Sequence, residues 1–550
     1  MTSKNAAVSL MVALLFGIHP LNVESVAWVS ERKGLLSSFF FLGACMSYLY
    51  YLKQGRALRF YFFSLVLFVF SLLSKAMAVT LPFILLTLDA FLYKNRAKVK
   101  LKDKIPFFAI SLAFIIITFF SHYSGEAVKE RTFDLLAKIS TASYCVIFYL
   151  YKIFVPINLS SLYPFPSKSM LFISPILAAI LFVFIIWLSR YSKKIIFGAT
   201  FFLITIIPAL QFIPVGKAVV ADRYIYLASI GIFYLVSEFF RWAYFKNTRY
   251  QRILRFILII FLLTFLSGLS LLTYTRTKVW KDSVSLWTDA LKNHASALAY
   301  NMRGVGYKNK GELDRAISDF SAAIKINPRD VQPYINRSLV YIKKGNLDQA
   351  LFDSQKALRI NPRLPEVYNI IGNINMAKKE YGPAIFNYTK AINMSPYYAE
   401  AYYNRGCAYQ DKKDFERALL DYAEAIKINP YYAEPYLNRG SIYFSRGDFS
   451  RALSDYNAAI KINPNSADAY YNRAVAYQSM GDFDRAISDY AKVITINADY
   501  ALAYYNRAVI YFNKSKYKES WSDINKAIGL GYAIDLRFLE LLKKASGRQN

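Results

Sequence analysis

Acidic residues are scarce in the first half of this 550-residue chain: residues 1–275 hold 9 Asp+Glu against 28 Lys+Arg, whereas residues 276–550 hold 28 against 40. Cysteine is scarcer still. Cys45, Cys145 and Cys407 lie far apart, the first two inside apolar runs, so neither a disulfide framework nor a CxxC site is available. The three histidines, His19, His122 and His294, show no metal-ligand spacing, and there is no Walker A loop and no GxGxxG. Charged residues reach only 19%, below the roughly 25% of ordinary soluble domains. These shortages argue against a wholly soluble enzyme, a disordered tail and a small disulfide scaffold.

What the chain has instead is apolar surface: 55% hydrophobic and 17% aromatic residues, with a mean hydropathy of +0.22. Net charge is +31, which in a soluble protein would point to nucleic acid. Here the first-half cations sit between long apolar runs, so they face headgroups and no nucleic-acid partner is implied. Crossing a bilayer takes about 20 mainly apolar residues, and that ruler finds candidate spans near 6–18, 35–52, 58–74, 76–93, 105–121, 136–155, 171–189, 195–213, 223–240 and 254–275. The run 6–18 leads into a charged loop without a small-residue cleavage site, so it reads as a short membrane helix and not as a signal peptide.

Ten crossings would put strongly basic loops on both sides, against the positive-inside rule. Letting 136–155 re-enter or lie in the interface, as Lys138 and Lys152 suggest, leaves about nine crossings. The loops 53–59, 94–104, 190–194 and 241–255, with 17 Lys+Arg, then share the cytoplasmic face. The second half and the loops 19–34, 122–135, 155–170 and 214–223 fall outside. Those loops carry His19, Glu24, Asp222 and Arg223. Ionisable groups at a membrane edge are costly unless paired or hydrated, so their clustering is a functional signal. An arginine fork suits a lipid phosphate. The alternative is that Glu24, Asp222 and Arg223 pair among themselves and shape the loops.

The second half repeats every 34 residues: INP at 326–328, 360–362, 428–430 and 462–464, MSP at 394–396 and INA at 496–498. This is the tetratricopeptide (TPR) period. Seven helix pairs are predicted over 296–533, after a connecting helix at 276–295 and before a capping helix and tail at 534–550. Small residues such as Gly406 and Ala418 mark where paired helices touch, with Tyr409 filling the space beside them. Arg303, Arg337, Arg405, Arg439, Arg473 and Arg507 are each followed sixteen residues later by Asp319, Asp353, Asp421, Asp455, Asp489 and Asp523. The third repeat replaces both charges, with Ile371 and Asn387. Joint loss is what an ion pair within each repeat requires, because a partly buried charge left alone is penalised. Asn336, Asn404, Asn438, Asn472 and Asn506, with Tyr403, Tyr471 and Tyr505, have no such partner and are candidates for a peptide-binding groove, since amides donate and accept at once. Their alternative role is to bridge adjacent repeats.

The strings LFGIHPLNVESVAWVSERKGLLSSFFFL, SKAMAVTLPFILLTLDAF, INLSSLYPFP and FIPVGKAVVADRYIYLASIGIF, followed by these repeats, resemble bacterial relatives of the transmembrane-and-TPR-containing O-mannosyltransferases. The resemblance implies an all-α chain: a polytopic GT-C-like membrane bundle over 1–275, then a TPR α-solenoid. It implies sugar transfer from a polyprenyl-phosphate donor to protein acceptors held by extracytoplasmic repeats, in a plasma (inner) membrane or, in a eukaryote, in the ER membrane with lumenal repeats. No cofactor or metal is called for. Family members begin with a further membrane helix, an external loop bearing an acidic catalytic residue and a second helix. MTSKNAAVSL stands where these would end, so the domain reads as N-terminally truncated, with Glu24 and His19 the remaining catalytic candidates and Arg223 with Asp222 the candidate donor-phosphate site. A non-catalytic membrane-anchored TPR scaffold is the second reading. A transporter is third, because the spans carry few central charges.

Overall fold

A computed structural model describes residues 6–92, 101–123, 135–210, 219–246 and 249–547, and most of the basic loop 94–104, most of the loop 122–135 and residues 214–218 lie outside them. Among the described residues there are helices and turns and no strand. The chain divides into two compact units, Met1–Ile326 and Asn327–Asn550.

In the first unit each apolar run forms a helix: Ala6–Ile18, Arg32–Lys53, Leu58–Ser74, Leu81–Leu92, Ile105–Tyr123, Leu135–Phe154, Lys168–Ser189, Lys193–Ile206, Ser229–Phe245 and Gln251–Val279. Val29–Lys53, Leu101–Phe120, Lys168–Ser189 and Gln251–Val279 are long and apolar enough to cross a membrane alone, and Ala6–Ile18 with Pro20–Ala27, bent by 56°, would add a fifth span. The 17 residues Leu58–Ser74 reach about 25 Å at about 1.5 Å per residue, slightly less than a hydrocarbon core of about 30 Å. Lys168–Ser189 exposes Phe172, Ile180 and Val183, and Gln251–Val279 exposes Ile253, Phe256 and Leu263. Apolar faces of this extent suit lipid.

Between the helices, Tyr149, Phe202, Ile206 and Phe233 share one core, and Phe41, Tyr48, Phe68 and Phe107 a second. Glycine sets the closest approach. A Cβ on Gly231 would stand 2.5 Å from the Gly198 carbonyl oxygen, so Lys193–Ile206 and Ser229–Phe245 can meet backbone to backbone only because both residues lack one. Polar contacts also join helices: Ser37 Oγ donates to the Ser71 carbonyl at 2.9 Å and Ser71 Oγ returns a bond to the Ser37 carbonyl at 2.8 Å. Asp89 and Lys104, both fully buried, are ion-paired, with the Tyr48 hydroxyl donating to Asp89 at 3.1 Å.

The first unit ends with Ser283–Asn293 and the helix pair Ala297–Asn309 and Leu313–Ile326, and the second holds six further pairs and the closing helix Leu536–Ser546. In four of the seven pairs the contact is glycine against ring. A Cβ on Gly304, Gly372, Gly406 or Gly440 would meet Phe320, Tyr388, Tyr422 or Tyr456 at 2.3–2.8 Å. The ring against Gly406 is therefore Tyr422, sixteen residues on, while Tyr409 packs against the cluster that Ala418 forms with Tyr422 and Ile442. Every turn inside a pair passes through one left-handed residue, at Gly311, Gly345, Lys379, Lys413, Gly447, Gly481 and Ser515. All six Arg–Asp pairs form, each with Nε and Nη2 donating to the two carboxylate oxygens at 2.7–2.9 Å. In the third repeat Ile371 is buried and the Asn387 amide donates to the Pro383 carbonyl at 2.9 Å.

Candidate functional site

Three distant segments of the first unit bring their charges together beside Gln251–Val279. The chain leaves Ala6–Ile18 at His19, which N-caps the short turn Pro20–Asn22 through its Nδ1, accepting from the Leu21 amide at 3.3 Å. Because that nitrogen accepts, Nε2 carries the proton and donates to the Ile153 carbonyl at 2.9 Å. Burial lowers the imidazole pKa to about 4. His19 is thus a neutral ring with both nitrogens engaged, holding the loop against the end of Leu135–Phe154.

Glu24 follows in the first turn of Val23–Ala27. It is 1% exposed, and its Oε1 accepts from Arg223 Nη1 at 2.6 Å. Burial raises its pKa and the adjacent Arg223 opposes the rise. Arg223 also has its Nε 3.4 Å from Glu31 Oε1, and Glu31 Oε2 accepts from Lys75 Nζ at 2.8 Å. The guanidinium lies 4.9 Å from both the Trp28 and Tyr224 ring centres, a cation–π seat. Arg223 is consequently shared by two carboxylates and two rings.

Asp222, its neighbour in sequence, turns the other way. Its Oδ1 accepts from the Tyr163 hydroxyl at 2.7 Å, and its Oδ2 is 3.9 Å from Arg276 Nη2. Complete burial, reinforced by the negative charge of Glu24, pushes its carboxyl up to about 7 despite Arg276 and the Tyr163 bond. Arg276, 7% exposed, donates from Nη1 to Asp289 Oδ2 at 2.5 Å. Lys152 Nζ nearby is held by the Ile157 and Asn158 carbonyls at 2.7 and 3.3 Å. Among the described residues, Glu24 Oε2, Asp222 Oδ2, Ser25 Oγ, and Arg276 Nε and Nη2 are buried without a hydrogen-bond partner. No group of three His, Cys, Asp or Glu suited to a metal occurs there.

The candidate residues Glu24 and Arg223 therefore meet directly, while Asp222 faces Arg276 and Tyr163 and His19 serves the loop that carries Glu24. Sequence reasoning missed Arg276, Tyr163 and Asp289. One signal was available: Arg276 is a cation closing an apolar run that has held no charge since Arg255.

On the repeats, Asn336, Asn404, Asn438, Asn472 and Asn506 are all half-buried. Asn438 Nδ2 donates to the Tyr403 hydroxyl at 3.4 Å, Asn506 Nδ2 to the Tyr471 hydroxyl at 3.0 Å, and Asn404 Nδ2 to Asn369 Oδ1 at 3.0 Å. Each bond reaches back into the preceding repeat, so these amides bridge neighbours. Tyr403 and Tyr471 sit against Tyr432 and Tyr500 at 5.2 and 5.1 Å, and Tyr505 against Tyr532 at 5.1 Å.

Tetratricopeptide-repeat profiles match residues 297–330, 331–364, 365–398, 399–432 and 467–500, and a TPR-repeat profile matches 440–481. Among solved structures, the chain is 28% identical to YrrB, described as a TPR protein with an unusual peptide-binding site. That match covers 34% of this chain and 95% of YrrB, with a TM-score of 0.28. Human protein O-mannosyl-transferase TMTC3 is 25% identical over 372 residues, 60% of this chain and 40% of that protein. The Caenorhabditis elegans protein O-mannosyl-transferase F38B6.6 is 23% identical over 337 residues, 58% of this chain and 46% of that protein. The chain thus spans less than half the length of these relatives. Over about 60% of its length the chain is thus similar to the TMTC-type protein O-mannosyl-transferases, and its C-terminal half carries tetratricopeptide repeats.

Proposed function

We propose that the chain is a membrane glycosyltransferase of GT-C type that moves a sugar from a polyprenyl-phosphate donor to a protein hydroxyl, with the TPR array recruiting the acceptor on the extracytoplasmic side. The observation that carries this reading is the buried charge cluster in which Glu24 has one oxygen held by Arg223 and the other unpartnered among the described residues. In the step envisaged, Glu24 Oε2 takes the proton of the acceptor hydroxyl as its oxygen bonds to the sugar C1. The bond from C1 to the phosphate oxygen breaks, and the phosphate leaves with the electron pair toward the arginines. General-base help of this kind is worth about 10² to 10⁴ in rate. Arg223 aligns Glu24 and opposes the rise in its pKa that burial imposes, Asp222 faces the second arginine, and His19 positions the Glu24 loop. The excess of Lys+Arg in the loops assigned to the cytoplasm supports an external site, with about nine crossings and a division into 1–275, 276–295, 296–533 and 534–550.

For the acceptor, Tyr403, Tyr471 and Tyr505 offer flat apolar area with a polar tip, beside the half-exposed asparagine row. A second reading, a membrane-anchored TPR scaffold without transfer, is favoured by the placement of Arg223 between the carboxylates of Glu24 and Glu31. Purified full chain given a polyprenyl-phosphate mannose and a protein acceptor separates the two. Transfer that falls at least a hundredfold in Glu24→Gln supports the enzyme. Acceptor binding without transfer, weakened by Asn404→Ala with Asn438→Ala, supports the scaffold.

A further inference from the structure

Arg276 occupies the last turn of Gln251–Val279 and Trp280 is that helix's C-cap, four residues on. Residues so spaced lie on one face. Arg276 spends only Nη1, on Asp289. Its Nε and Nη2 are buried and donate to no described residue, and the indole Nε1 of Trp280 is in the same condition. An unmatched buried donor is expensive, and more so on a charged group. The repeats show what this edge of a guanidinium does when satisfied: in Arg303, Arg337, Arg405, Arg439, Arg473 and Arg507 the same two nitrogens, Nε and Nη2, grip both oxygens of one carboxylate. At Arg276 the facing carboxylate, Asp222, stands off at 3.9 Å from Nη2, with its other oxygen taken by Tyr163. Arg223, by contrast, already serves Glu24 and stacks on Trp28. Trp28 and Trp280 lie 6.1 Å apart, ring centre to ring centre, so the ring that seats Arg223 is a neighbour of the Trp280 ring.

We infer that Arg276, through its Nε/Nη2 fork, and Trp280, through its indole N–H, form the seat for a phosphate oxyanion in this cluster, with Arg223 bracing Glu24. A planar fork matches two phosphate oxygens with two parallel charge-assisted bonds, which a lysine cannot do. Asp222 does not exclude the anion: its raised pKa leaves it substantially protonated near neutral pH, so it presents a hydroxyl where an ionised carboxylate would repel. The assignment deepens the proposed transfer reaction and rests on it only for the polyprenyl chain attached to the phosphate. The fork itself would take inorganic phosphate by the same chemistry.

The test is equilibrium binding to the full chain in nanodiscs, with a short polyprenyl phosphate and inorganic phosphate as separate probes, for wild type, Arg276→Lys and Trp280→Phe. Lipid-phosphate affinity is expected to fall about tenfold or more in Arg276→Lys and about three- to tenfold in Trp280→Phe, since one variant loses the fork and the other a single N–H. Trp280→Phe keeps an aromatic ring at the position and so carries the test if Arg276→Lys fails to fold. Inorganic phosphate bound in an Arg276-dependent way, with no binding of the lipid, would support the seat while removing the polyprenyl donor. Lipid phosphate bound equally by wild type and both variants would overturn the seat and leave the transferase reading standing. Binding of neither probe would also overturn it.

Discussion

Glu24 and Arg223, 199 positions apart in sequence, are joined by a 2.6 Å hydrogen bond between a carboxylate that is 1% exposed and a guanidinium stacked on Trp28. Leaving either charge alone in that site is costly, on the order of 3–5 kcal/mol for a buried pair. Arg223→Gln should lower the melting temperature more than Glu24→Gln, because it strands Glu24 and also releases Glu31. The double variant should regain much of the loss, and a cycle of thermal melts in detergent without coupling would remove the pair from the account.

Asp222 makes stability depend on pH. Its carboxyl sits at about 7 in the folded chain because it is buried, against about 3.9 when unfolded. A raised value means that the folded state binds the extra proton, so the stabilisation is complete below about pH 4 and is lost as pH rises through about 7. Between pH 5 and pH 8 the wild type should lose stability that Asp222→Asn does not, on the order of 2–4 kcal/mol from the linkage relation. Melting curves of both proteins across that range measure it. Equal slopes would show that Asp222 does not titrate there.

The paired charges of the repeats can be edited by copying the chain's own exception. Asp421→Ala should destabilise the array by about 2–3 kcal/mol by stranding Arg405, which is only 17% exposed at its side chain. Arg405→Ile with Asp421→Asn should recover much of this, as Ile371 and Asn387 do in the third repeat. Urea unfolding followed by circular dichroism reads the difference.

Lys413 holds φ at 63° where four other repeats have glycine. A left-handed residue with a Cβ costs about 1–2 kcal/mol, partly offset by the greater entropy glycine loses on folding. Lys413→Gly should therefore stabilise the array by about 0.5–1 kcal/mol, whereas Gly447→Lys should destabilise it. The same denaturation experiment applies, and a loss of stability in Lys413→Gly would contradict the strain.

Topology has its own test. With Cys407 replaced by serine, Tyr431→Cys on the repeats, 83% exposed, should react with a membrane-impermeant maleimide on intact cells, while Lys102→Cys should react only after lysis. The reverse pattern would overturn the extracytoplasmic placement.

Local pattern made much of this molecule readable before any fold was known. Apolar runs announced the helices of the first unit, and a 34-residue period announced the helix pairs. The shared absence of Arg and Asp in one repeat disclosed a contact sixteen residues long. Those features depend on neighbours within a turn or a repeat, and sequence carries such short-range order directly. Tertiary packing decided which of two adjacent residues went where: Arg223 to Glu24, Asp222 to Tyr163 and Arg276. It also turned the amides of Asn404, Asn438 and Asn506 toward the preceding repeat and set Arg276 beside Asp222. These contacts link segments as far apart as 199 positions. They exist only once the helices have packed, because no periodicity relates a loop at residue 24 to one at residue 223, and the partner of a buried charge is set by which helix ends arrive at the same place.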